Sequence, residues 1–158
     1  MTLKAGDRAP EFRARADDGS WLELSAELKK GAVVLYFYPK DETMGCTAEA
    51  CAFRDNWGQI RSEGAEVIGV SSDDVESHVA FKMHHEIPFT LVSDPDKKIR
   101  SSYDVRGRLL PPRVTFVIDQ DGVVRHVYDS QLAPTSHVRE AMSALRLVRT
   151  SPHLLAKG

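Results

Sequence analysis

Two thiols in this sequence can be oxidised and reduced reversibly, those of Cys46 and Cys51, its only cysteines. The segment Pro39-Lys-Asp-Glu-Thr43-Met-Gly-Cys46 places the first thiol where a helix should begin and the second just beyond its first turn. Upstream, Val33 to Tyr38 reads VVLYFY, an apolar, β-branched and aromatic run typical of a buried strand, and it stops at a proline. Downstream, Cys46 to Trp57 contains neither proline nor glycine and can continue as helix. A sulfur at a helix N-terminus faces unpaired backbone N–H groups and the positive end of the dipole, which favour thiolate over thiol. Cys46 is therefore a candidate nucleophile.

The elements that must hold this thiol in place follow from the rest of the chain. With 158 residues, of which 42% are hydrophobic, the chain has the size and apolar content of one domain, expected over residues 1–150, with 151–158 as a loose tail. A net charge of −2 with interspersed signs gives no reason to expect nucleic acid or an anionic membrane as partner. The start, MTLKAGDRAPEF, lacks the apolar core of a secretory signal, and no window approaches the roughly 18 to 20 apolar residues of a membrane span. The expectation is a cytoplasmic protein, and in a reducing compartment a cysteine pair is more often catalytic, redox-active or metal-binding than a permanent staple.

Along the chain, alternating segments on either side of Asp17-Asp18-Gly19-Ser20 predict a hairpin between Phe12 and Leu24. Ser25 to Lys30 predicts a turn of helix ended by Gly31, and the cysteine helix should run towards a stop at Gly64. Glu66 to Val70 is a second buried strand. Ser72-Asp73-Asp74 offers caps for a helix whose buried stripe should be Val75, Val79 and Met83, ended by Pro88. Phe89 to Val92 predicts a strand, and Asp94-Pro95-Asp96 a short helix reaching about Tyr103. Val114 to Asp119 and Val123 to Tyr128 flank Gln120-Asp121-Gly122 as a hairpin, and Ser136 to about Val148 is a last helix with Val138, Met142, Leu145 and Val148 on one face. This order argues an α/β fold: a central mixed sheet flanked by helices, parallel where helices cross over and antiparallel at the hairpins. His78 and His137 read as helix surface, and Trp21 and Trp57 as partly buried packing residues. His84-His85, adjacent on a helix, should point to different faces, so no metal site is expected from them and the cysteines.

With these residues identified, the chain resembles the peroxiredoxins, and within them the bacterioferritin comigratory protein or peroxiredoxin Q group. Proline, three residues, threonine, two residues, cysteine is met by Pro39, Thr43 and Cys46. The subgroup's second cysteine, five positions on, is met by Cys51 within GCTAEACAFRD. GDRAPEF, VIGVSSDDVESHVAF and RVTFVIDQDGVV match in family order, so the likeness spans nearly the whole chain. Met44 departs from the pattern, since the subgroup usually carries proline there.

The resemblance implies a thioredoxin-like fold and a thiol-dependent peroxidase without a cofactor. Its substrates would be hydrogen peroxide and small organic hydroperoxides. Cys46 would attack one peroxide oxygen, and Thr43 would hold the sulfur and the substrate oxygen through its hydroxyl. Pro39, which presents no N–H, would limit water around the sulfur. Arg113, in PPRVTFVID, would supply a fixed positive charge, and Glu49, one turn beyond Cys46, could orient that guanidinium. The sulfenic acid left on Cys46 would be resolved by Cys51 as a disulfide, which thioredoxin would reduce. Five helical residues separate the two cysteines by about 7.5 Å of rise and roughly 140° of rotation. A disulfide needs Cα atoms within about 7 Å, so closure requires the first turn and a half to unwind. The subgroup suggests a monomer, with a dimer left open. Two other functions compete: a disulfide reductase, disfavoured because the spacing is C-x-x-x-x-C rather than C-x-x-C, and a non-enzymatic redox sensor.

Overall fold

A computed structural model of the chain describes residues 3–105, 112–130 and 133–149. Its centre is a seven-stranded sheet in the order β2-β1-β5-β4-β3-β6-β7. The strands are β1 (Arg13–Ala16), β2 (Trp21–Glu23), β3 (Ala32–Phe37), β4 (Ala65–Ser71), β5 (Thr90–Ser93), β6 (Val114–Ile118) and β7 (Val124–Asp129). β3, β4 and β5 pair in parallel through helical crossovers. The β1–β2 and β6–β7 hairpins are antiparallel, as are the β1–β5 and β3–β6 pairings that join them to the parallel centre. Among the described residues this is the mixed, helix-flanked sheet expected from the order of elements, in the thioredoxin-like arrangement that the resemblance implied.

The pleat of β3 sorts its side chains between two cores. Val33, Leu35 and Phe37 enter one core, closed by α1 (Leu24–Leu28), α5 (Lys98–Ser102) and the N-terminal hairpin. Val34, Tyr36 and Tyr38 enter the other, closed by α2 (Met44–Asp55), α3 (Trp57–Ser62), α4 (Val75–His85) and α6 (Ser136–Arg149). Having both faces covered is why VVLYFY is apolar throughout rather than alternating. β6 alternates in the same way. Val114, Phe116 and Ile118 belong to the first core and Val117 to the second, so Arg113 and Thr115 lie in the register that faces α2 and α6.

The structure differs from the sequence reading at several places. The helix expected to run from Cys46 towards Gly64 breaks at Asn56 (φ −109°, ψ 6°), whose amide side chain bonds back to the Ala52 carbonyl, giving α2 and α3. On α4 the apolar stripe is not the buried one. Val79 is 37% and Met83 76% exposed, while His78 and Phe81 face the core. His78 and His137, read as surface, are both fully buried, because each finds partners for both ring nitrogens. Trp21 is half exposed on β2, covered by the guanidinium groups of Arg13 and Arg15 rather than packed into a core. Trp57 is partly buried against the second core, as expected. Asp74 caps α4 by accepting from the Ser77 N–H. The expected tail at 151–158 lies outside the described residues.

Candidate active site

β3 ends at Phe37, and the chain passes through Pro39 to Glu42 before α2 starts at Met44, so the strand-to-helix turn delivers Cys46 to the end of the sheet. Thr43 is the N-cap in extended conformation (φ −78°, ψ 154°) and makes no side-chain cap bond, which leaves the first-turn N–H groups of α2 open as donors. Cys46 is buried in the second core beside Ala50 and Phe53. Cys51, one turn and a half further along the same unbroken helix, is only partly buried, and both thiols are free.

Arg113 arrives from the start of β6 and is 6% exposed. Its Nη2 donates to Cys46 Sγ at 3.6 Å and its Nη1 to Glu49 Oε1 at 2.6 Å. Cys46 and Glu49, three apart on one face of α2, thus take hold of the same guanidinium. Burial works against the charge of Arg113, but the Glu49 carboxyl and the Cys46 sulfur outweigh it and hold its pKa above the usual arginine value. Glu49 responds in the opposite sense: burial pushes its carboxyl up to about 8 against the pull of Arg113. Glu49 Oε1 accepts from one arm of the guanidinium, which leaves the other arm to the sulfur.

His137 on α6 lies next to this pair. Its Nε2 donates to the Ser130 carbonyl at 2.9 Å, so Nδ1 is the bare nitrogen and accepts from the Thr115 hydroxyl at 2.8 Å. Burial, and secondarily the charge of Arg113, hold its pKa below the usual histidine value. Glu49 Oε2 lies 3.6 Å from that nitrogen, beyond hydrogen-bond length, and has no bonded partner among the described residues. The neutral histidine keeps the arginine as the cation of the site. Tyr36 adds a buried phenol whose pKa is raised far above normal, first by burial and then by the charges of Glu49 and Cys46.

Three of the six expected site residues are joined by bonds. Cys46, Glu49 and Arg113 form one bonded cluster. Pro39 is half-buried in the turn before them. Thr43 does not bond the sulfur: its hydroxyl donates to the Lys40 carbonyl at 2.8 Å, which leaves its lone pairs to accept a proton from an incoming molecule. Met44, at the first helical position where the subgroup carries proline, is 90% exposed and takes no part in the cluster.

Other contributors escaped the sequence reading. A Cβ on Gly45 would lie 2.9 Å from Arg113 Nη2, so glycine is what lets the guanidinium approach the helix. Asp41, in the turn itself, accepts from Tyr38 Oη at 2.6 Å, Ser77 Oγ at 2.8 Å and His78 Nδ1 at 2.8 Å. His78 Nε2 donates to the Val92 carbonyl at 3.0 Å, so both its ring nitrogens carry protons and it forms a buried ion pair with Asp41. Burial disfavours this charge, yet the Asp41 carboxylate raises the pKa of His78 above the usual value. Asp73 Oδ2 accepts the Asp41 N–H at 2.8 Å, giving the turn a second anchor. None of these has a local sequence signature, since Asp41 and His78 are 37 residues apart.

The arrangement places a buried thiol against a fixed cation in the first turn of a helix whose N–H donors are open, with a second thiol further along the same helix. The sequence profile of the AhpC/TSA family matches residues 5–127. The chain is 46% identical over 147 residues to the chloroplastic peroxiredoxin Q of Oryza sativa subsp. japonica, covering 91% of this chain and 67% of that protein. It is 44% identical to the chloroplastic peroxiredoxin Q of Arabidopsis thaliana over the same share of this chain and 68% of that protein. In structure it is similar to the peroxidoxin BcpB of Mycobacterium tuberculosis, with a TM-score of 0.88 and 35% identity over 94% of this chain and 99% of that one. It is similar also to the bacterioferritin comigratory protein of Xanthomonas campestris, studied for alkyl peroxide reduction, with a TM-score of 0.81 and 28% identity over 88% of this chain and 92% of that one.

Proposed function

The chain belongs to the AhpC/TSA family, in its peroxiredoxin Q branch, and from that we propose how its thiol-dependent peroxidase activity is divided among its own residues. Cys46 is the attacking group. Its thiolate displaces RO⁻ from ROOH, forming an S–O bond as the O–O bond breaks, so the sulfur is oxidised to a sulfenic acid and the peroxide is reduced. RO⁻ takes up a proton and leaves as an alcohol, or as water when the substrate is hydrogen peroxide. Arg113, bonded to the sulfur at 3.6 Å, stabilises negative charge on it and on the departing oxygen. The open N–H groups of α2 add fixed donors, and the Thr43 hydroxyl accepts the peroxide O–H and turns its oxygen towards the sulfur.

Cys51 then attacks the sulfenic acid. An S–S bond forms, water leaves, and the chain holds one disulfide, which an external dithiol reduces through a mixed disulfide. We assign thioredoxin as that dithiol, the cytoplasm as the working compartment, and a single chain as the working unit. The large apolar side chains exposed among the described residues, Trp21, Met44, Val79, Met83 and Leu147, belong to four different elements.

The observation that carries this assignment is the shared guanidinium, with Nη1 fixed by Glu49 and Nη2 on the sulfur of Cys46. The test is peroxide consumption with thioredoxin, thioredoxin reductase and NADPH. Wild type should turn over repeatedly and Cys46→Ser should not turn over at all. A Cys46→Ser variant that still consumes peroxide would remove Cys46 from the role. A single stoichiometric reaction by wild type, despite active reductant, would make the protein a sensor rather than a catalyst.

A further inference from the structure

His84 and His85, the last two residues of α4, were expected to diverge, yet their rings lie 4.1 Å apart, inclined by 33°, and both point at Glu42. His85 Nε2 is 2.8 Å from Glu42 Oε1, and His84 Nδ1 is 3.0 Å from Oε2 and 3.2 Å from Oε1. The three ligand atoms all lie within 4.8 Å of one another. We propose that Glu42, His84 and His85 form a binding site for a divalent transition metal ion of the Zn²⁺ type, tying the catalytic turn to the end of α4.

The donor set decides the class of ion. Two imidazole nitrogens and one carboxylate suit Zn²⁺ and its neighbours, whereas Mg²⁺ and Ca²⁺ require mostly oxygen ligands. Three protein ligands leave a fourth position to water, an open site that exchanges its ion rather than a closed structural one. The ligand atoms already converge, so an ion would displace protons from the imidazole–carboxylate contacts and need only a small spreading of the group.

Its parts are held in advance by contacts that do not involve an ion. The His85 ring packs edge-on against Phe81 at 5.2 Å, and the His84 ring lies against that of His85. The C-terminal end of a helix presents carbonyl oxygens, and its negative potential favours a cation. Glu42 adopts φ 64°, a left-handed conformation that costs free energy for a residue with a Cβ, and from it the side chain reaches α4. His84 and Glu42 remain exposed enough to admit an ion from solvent.

Position gives the site a consequence, one that rests on the proposed Cys46–Cys51 cycle. Glu42 immediately precedes Thr43, the N-cap of the helix that must unwind for the disulfide to close. The same turn is held to α4 by Asp41 on His78, and α2 is held there beyond Cys51 by Arg54 Nη1 on the His85 carbonyl at 2.7 Å. The Glu42 contacts with the two histidines are a third tie, and an ion that replaces them with coordinate bonds strengthens it against unwinding, so Zn²⁺ slows disulfide formation and lengthens the life of the sulfenic acid.

The site is tested without the thiols, which themselves bind zinc. A Cys46→Ser/Cys51→Ser chain, which has no cysteine left, is titrated with Zn²⁺ by calorimetry, and with Co²⁺ while its visible absorption is followed. One ion per chain should bind, and His85→Ala, His84→Ala or Glu42→Gln in that background should each weaken binding by about tenfold or more. No stoichiometric binding, or binding that all three substitutions leave unchanged, overturns the site. In chains that keep both cysteines, Zn²⁺ should slow disulfide formation more with Glu42 present than with Glu42→Gln. Equal slowing overturns the tie while leaving both the ion site and the peroxidase assignment standing.

Discussion

Arg113 can serve two groups at once because its planar fork separates the roles: Nη1 takes the direction of Glu49 and Nη2 that of Cys46. A lysine has the charge without the fork. Replacing Arg113 by lysine should lower the rate of Cys46 oxidation by about 10²–10³-fold, in line with the loss of one donor to developing charge. Stopped-flow measurement of the reaction with peroxide reads this directly. Glu49 makes a different prediction through its raised pKa. A carboxyl near 4.5 when unfolded and about 8 when folded binds its proton more tightly in the native state. Its favourable contribution is complete below about pH 4.5 and is lost as pH rises through about 8. Glu49→Gln cannot ionise, so its melting temperature should fall less than that of wild type between pH 5 and pH 9. Parallel curves would mean that Glu49 titrates alike in both states. Cys46, Arg113 and Glu49 were legible in the sequence because motif position and helical spacing point to them. His137, Thr115 and Gly45 were not, since a buried histidine and a glycine that makes room for a guanidinium have no pattern of their own.

α2 has to satisfy two opposed demands. While peroxide is being attacked it must be intact, because its N-terminus supplies the donors and its turn aligns Cys46 with Glu49 on Arg113. Resolution requires the opposite, since Cys46 and Cys51 in a regular helix are separated by about 7.5 Å of rise and face different directions. Amide hydrogen exchange over residues 47–51, whose N–H groups are bonded within the helix from Thr47 onward, should therefore be slow in the reduced protein and accelerate when the disulfide forms, with α4 and α6 unchanged. Equal protection in both forms would contradict the unwinding. The turn before α2 stays attached meanwhile through Asp41 and His78. Changing His78 to Phe would leave the Asp41 carboxylate buried without its cation, and stability should fall by about 3–5 kcal/mol in denaturant titration. The α4 comparison shows why this pairing was not legible. Periodicity selects Val75, Val79 and Met83 as the inner stripe, but a distant carboxylate makes the His78 face the better one to bury. The break at Asn56 was missed for a related reason: the asparagine is a mild helix former until its side chain takes the Ala52 carbonyl.

At the scale of the whole molecule, strand order and connection type were legible because each strand carries a strong apolar run and each crossover a helix. Turn chemistry at Gly19 and Gly122, both at positive φ, identified the two hairpins. The joining of β1 to β5 and of β3 to β6, which completes the sheet and sets Arg113 opposite α2, is a long-range pairing that no local pattern announces. The sheet thus brings two stretches 67 residues apart, the cysteine helix and the start of β6, to one end of one face. The most direct measurement of what that end does is the intact mass of the reduced protein after one equivalent of peroxide. Wild type should lose two hydrogens as a disulfide joins Cys46 to Cys51. Cys51→Ser should gain one oxygen on Cys46, and Cys46→Ser should remain unchanged. Oxygen gained by Cys46→Ser at the wild-type rate, or a wild-type product without the internal disulfide, would contradict the account.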